Sequence, residues 1–166
     1  MRIIYPTSLT VVIILILIIT ISSFFVSCTK PPTKETTDAV AALQKLQAAT
    51  QVGVNYQTYG QLLIDAKAKV NDAMKSLPDG ELKTEINGAM DSYADAATVW
   101  GRKIEGHSLY GDNSEPDKTL IAKYSIPLDD HTYGKTADPS KAMQIIWLRA
   151  DIHLKQIDSI LRPSSK

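Results

Sequence analysis

From Tyr56 onward the chain repeats apolar side chains in steps of three and four. Tyr56, Tyr59, Leu62, Leu63, Ala66, Val70, Ala73, Met74 and Leu77 fall on one stripe, and Leu82, Ile86, Ala89, Tyr93, Ala96, Trp100 and Ile104 on another. A helix with such a stripe is stable only when the stripe is buried against another element. Pro78-Asp79-Gly80 is a turn signal with Asp79 as a capping residue, and so short a link makes the two helices antiparallel neighbours. The spacing predicts helices over about 56–77 and 80–104, the first capped by Asn55, with Val54 packing on Tyr59. A further helix is expected over about 37–50, with Val40, Leu43 and Leu46 inward. The last starts at Asp138-Pro139, an N-cap followed by proline at the first helical position. It runs through Met143, Ile146, Trp147, Ala150, Leu154 and Ile157 to Leu161. Gly53 marks either a turn between the first two helices or a kink in one long helix. Runs of alternating β-branched residues are absent outside the first 27 residues. The expected fold is all-α and four-helix-bundle-like, three long helices plus a shorter one.

Between Glu105 and Asp138 lies a connection far longer than the 2–8 residues usual between helices. It carries Leu109, Tyr110, Leu120, Ile121, Tyr124, Ile126, Leu128 and Tyr133, too apolar for a disordered linker. Ser114-Glu-Pro-Asp117 has the form of a capping box and predicts a short helix near Glu115–Lys123. The connection is expected to be an ordered crossover packed on the bundle.

Residues 1–27 contain a single charge, Arg2, and every residue from Val11 to Ile19 is Val, Ile or Leu. A charged start, an apolar stretch and small residues at the end make the pattern of a secretory signal. The segment Phe25-Val26-Ser27-Cys28 resembles the lipobox of bacterial lipoproteins. The resemblance implies cleavage before Cys28 and diacylglyceration of its thiol, and Phe25 stands where that family usually has Leu. Thr29 in place of Asp leans toward the outer membrane of a Gram-negative envelope. An uncleaved anchor is the alternative, since Ile3 to Val26 is long enough to span a bilayer. The reading divides the chain into a signal (1–27), a polar, proline-stiffened tether (28–37), a helical domain (38–162) and a frayed tail (163–166).

Cys28 is the only cysteine, so no intramolecular disulfide can form and the domain must rest on its apolar core. Without residues 1–27 the chain loses only the charge of Arg2, which leaves 17 basic against 18 acidic side chains. That balance gives no electrostatic case for nucleic acid.

The antiparallel pair gathers Tyr56, Tyr59 and Trp100 at the end of the bundle from which the crossover leaves, with Arg102 and Lys103 nearby; if the last helix is antiparallel to the one before it, Trp147 and Arg149 arrive there too. With Tyr124 from the crossover these rings are the candidate ligand-binding residues, although aromatic residues at helical spacing are usually core. His107 and His131 are the weak candidates for a metal, with Glu105 and Asp112 alongside, but no pair of ligands has a defined spacing. His153 is expected at the boundary of the last stripe. The sequence has neither G-x-S-x-G, nor HExxH, nor an EF-hand loop, nor C-x-x-C-H, nor a phosphate-binding glycine loop. No catalytic residue and no cofactor are expected.

The stretch Val52-Gly-Val-Asn-Tyr56-Gln-Thr-Tyr59, with Leu62, Leu63, Asp65-Ala66-Lys67 and Val70, is similar to a segment of uncharacterised bacterial exported helical proteins. That resemblance implies a helical domain and brings no site residues. Two functions compete on these grounds. One is a non-enzymatic, membrane-anchored envelope module that binds a protein partner. The other is a small-ligand or metal-binding lipoprotein using the aromatic end and the crossover.

Overall fold

Thr33 opens the first helix by accepting a hydrogen bond from the Thr36 amide on its side-chain oxygen. The protein is described by a computed structural model over residues 31–111, 115–131 and 134–162. The leader, Cys28 and the tail beyond Arg162 lie outside the described residues. Helix α1 spans Lys34–Val52. It begins before the expected 37, because Thr33 supplies a cap one turn earlier and Thr36 is fully buried. The tether is correspondingly shorter than 28–37.

Gly53 then takes φ of +90°, which side-chain-bearing residues rarely adopt, and ends α1. The first two helices are therefore separate. Asn55 caps α2, Tyr56–Ser76, accepting from the Thr58 amide at 2.8 Å. Helix α3 covers Glu81–Ile104 after an N-cap at Gly80; Asp79, expected as the cap, pairs with Lys83 at 3.0 Å. Asp138 caps the last helix as its sequence predicts, accepting from the amides of Ser140 and Lys141.

The crossover contains three short strands as well as one short helix. Strand β1 is Leu109–Tyr110, α4 is Asp117–Tyr124, β2 is Asp129–His131 and β3 is Gly134–Ala137; α5 follows over Pro139–Leu161. The strands form an antiparallel sheet of order β1-β3-β2, with Leu109 opposite Ala137 and Asp130 opposite Lys135. These strands add to the ordered crossover and short helix that the sequence predicts. At two to four residues they are too short to show an alternating pattern, and β2 is exposed throughout.

The architecture is otherwise the expected all-α bundle. Helix α5 runs antiparallel to α3, as the pairs Glu85–His153 and Trp100–Trp147 show. It also runs antiparallel to α1, to which Gln44–Asp158 and Gln47–Asp151 join it. One core, with Leu43, Leu46, Tyr59, Val70, Ile86 and Leu154, holds the four long helices. A second, with Val99, Leu109, Leu120, Tyr124, Ile126 and Ile146, fixes the crossover to α3 and α5. Trp100 and Trp147 pack against both. Asp117, 1% exposed, pins the crossover by accepting from Arg102 Nε and the Tyr110 amide, each at 3.2 Å.

Candidate functional site

The N-terminus of α2, the C-terminus of α3 and the first turns of α5 lie at the crossover end of the bundle, and there four of the five aromatic candidates meet. Tyr59 lies 5.4 Å from Trp100 and 6.1 Å from Trp147 between ring centroids; Trp100 lies 5.7 Å from both Trp147 and Tyr56. The rings are tilted or edge-on, the arrangement their quadrupoles favour. Tyr59 is fully buried, donating to the Tyr93 carbonyl at 2.8 Å and accepting from Trp147 Nε1 at 3.3 Å. Burial pushes its phenol far above the ordinary tyrosine value, so it stays neutral. The rings fill space against one another, and the polar atoms of Tyr59 and Trp147 are spent on each other and on the Tyr93 carbonyl.

The same end exposes large apolar side chains. Val52 is 85% exposed, Ile104 58%, Tyr56 43% and Tyr110 42%. Tyr56 and Ile104 belong to the predicted buried stripes. They reach solvent because they sit at helix ends, past the helices that cover the rest of each stripe.

Tyr124 stands apart from the rings. It comes from α4 into a cleft of about 290 Å³ lined by Gly88, Asp91 and Ser92 of α3, Lys123 and Tyr124 of α4, and Arg149 and His153 of α5. Its hydroxyl donates to Asp95 at 2.7 Å and lies 3.4 Å from Ser92 Oγ, which itself donates to the Gly88 carbonyl. Lys123 reaches the same Asp95 oxygen at 2.7 Å. Burial raises the Tyr124 phenol and the Asp95 carboxylate raises it further. Burial works against the charge on Lys123, but the bonds to Asp95 and Tyr124 outweigh it and hold the ammonium protonated.

On the facing side His153 Nδ1 is 2.7 Å from Glu85 Oε2. Asp91 and Arg149 also line the cleft, and neither belongs to an ion pair among the described residues. The cleft therefore has pre-oriented walls and two charges of opposite sign left for a ligand. The Ser92 hydroxyl donates to a backbone carbonyl and is not held by a base.

His107 and His131 are both exposed, His107 in the turn after α3 and His131 on β2. Among the described residues no three His, Cys, Asp or Glu side chains converge to hold a metal ion, and no helix is long and apolar enough to cross a membrane. Sequence reasoning missed Asp91, Ser92 and Asp95. They sit on a polar flank of α3, and only the arrival of α4 distinguishes them from solvated surface. Comparison of the chain with protein-family models, with curated proteins and with solved structures returns no match.

Proposed function

We propose that this protein is a lipid-anchored, non-enzymatic module of the cell envelope that binds a protein partner through the crossover end of its bundle. The observation that carries this reading is the collection of Val52, Tyr56, Ile104 and Tyr110 at that one end, each more than 40% exposed. Single exposed apolar residues are ordinary, but several gathered over an aromatic cluster supply the anchors that hot spots use. The lipid on Cys28 would keep the module at the membrane, with the outer membrane as the destination in a Gram-negative host. Photo-crosslinking from position 104 in native envelopes tests it. A discrete adduct that disappears in Tyr56→Glu is expected; no adduct above that of a probe at exposed Lys67 overturns it. Intact-mass analysis of the mature N-terminus tests the anchor separately, and a free Cys28 thiol or a retained leader refutes it.

A second reading rests on the unpaired Asp91 and Arg149 in one cleft. A volume of about 290 Å³ sits at the lower end of ligand sites and suits a small zwitterion with an ammonium for Asp91 and a carboxylate for Arg149. Thermal stabilisation by at least one amino acid, abolished in both Asp91→Asn and Arg149→Gln, is the expected result. Stabilisation that survives both substitutions eliminates the cleft.

A further inference from the structure

Helix α5 buries one side in both cores and turns Lys141, Gln144, Leu148, Arg149, Ile152, Lys155, Gln156 and Ser159 to solvent. Every charge in that set is positive. Leu148 is 59% and Ile152 41% exposed, and half-buried Ile145 continues the row in steps of three and four. The other long helices expose both signs: Lys34 with Glu35 on α1, Asp65 and Asp72 with Lys67 and Lys75 on α2, Glu81 and Asp91 with Lys103 on α3. The half-buried acids Asp151 and Asp158 turn toward α1, where they accept from Gln47 and Gln44, so the exposed charges beside the aliphatic row are basic, the pattern of a helix lying in a membrane interface.

From this we infer that the outer face of α5 lies on an anionic bilayer surface, an orientation that deepens the lipid-anchor reading above and rests on it. The apolar row is three residues, small for a stable protein interface of about 800 Å² per partner. It is enough for a domain that its lipid already holds at the bilayer. Lys141 and Lys155 stand about 21 Å apart along the helix, and each basic side chain near an anionic surface raises affinity about fivefold.

Both cores lie within residues 39–161, so the chain from Pro32 onward carries its own fold and can be tested without lipid. Its sedimentation with vesicles of equal phosphatidylglycerol and phosphatidylcholine is measured at low salt. Binding is expected, absent on phosphatidylcholine alone and weakened by salt. Lys141→Gln with Lys155→Gln lowers it at least tenfold, as does Leu148→Ser with Ile152→Ser, and circular dichroism stays native. Lys67→Gln with Lys75→Gln on α2 removes the same charge and leaves binding intact. Absence of binding, or equal loss in the α2 control, overturns the inference. So does a finding that the α5 variants lose an envelope protein while the parent ignores vesicles. Vesicle binding by the domain combined with an unmodified Cys28 in the mature protein leaves this face standing and removes only the anchor.

Discussion

The indole of Trp147 donates to the hydroxyl of Tyr59 across 3.3 Å, and that hydroxyl donates in turn to the Tyr93 carbonyl at 2.8 Å. One buried phenol thus joins α2, α3 and α5. Tyr59→Phe removes both bonds, leaves a half-buried N–H without its partner, and is expected to cost about 1 kcal/mol in denaturant unfolding. Tyr93 is equally buried, but its hydroxyl has no partner among the described residues. Tyr93→Phe is therefore expected to leave stability unchanged or higher. Equal losses in the two variants would contradict this assignment.

Alkaline titration reads the same two side chains. Burial raises both phenols far above the ordinary value, with Asp151 adding to the effect at Tyr93. Above about pH 10 the unfolded chain releases protons that the folded one retains, so the unfolded state binds fewer and stability falls as pH rises. Phenolate absorbance is expected to show that two of the seven tyrosines ionise only together with loss of the helical signal.

Gly88 and His153 provide a test with a change of sign. A methyl group on residue 88 would stand 2.5 Å from His153 Cε1, and that ring is held by Glu85. Gly88→Ala is expected to destabilise by about 1–2 kcal/mol, overpacking exceeding the gain in helix propensity. In a His153→Ala background the obstacle is gone, and the same substitution is expected to stabilise by about 0.8 kcal/mol. Thermal unfolding of the four proteins in this cycle measures it.

Asp117→Ala is expected to release the crossover. It strands the Arg102 guanidinium, whose side chain is 29% exposed, and the Tyr110 amide. Breaking a buried pair costs about 3–5 kcal/mol, and partial hydration of Arg102 puts this case near 3 kcal/mol. Hydrogen exchange should accelerate over 109–137, while Leu43, Leu46 and Val70 remain protected.

Asp138→Ala tests the start of α5. The amides of Lys141 and Ser140 hold the Asp138 carboxyl below the usual value. Its contribution is present above the unfolded value near 3.9 and is lost as pH falls through the lower folded one. Loss of the cap should cost about 1 kcal/mol at neutral pH and nothing in strong acid, read by urea unfolding at both.

The long helices were legible because each buries a continuous stripe, and position along a stripe is a local property of the chain. Asn55 and Asp138 were legible for the same reason, since a cap acts within three residues. The meeting of Tyr56, Tyr59 and Trp100 followed from one short link and antiparallel packing, whereas the long crossover left the arrival of Trp147 to the fold. Thr33 was missed because a polar tether has no apolar period to mark where helix begins. The sheet was missed because its strands take their order from pairing across the crossover, Leu109 with Ala137, and not from any pattern of their own.

By itself the sequence determined three long helices and a shorter one, most of the residues that face inward, and the crossover; Cys28 as a lipid site stands as a proposal. Tertiary structure alone decided that the aromatic end is packed shut, that Tyr124 turns to Asp95 rather than to the rings, and that Asp117 locks the crossover to Arg102. It also decided that the exposed charges of α5 are all basic while its neighbours expose both signs. The division has a physical cause. Helical periodicity repeats every three to four residues and is written locally, whereas each of these contacts joins groups from different elements, and nothing local to either partner specifies the other.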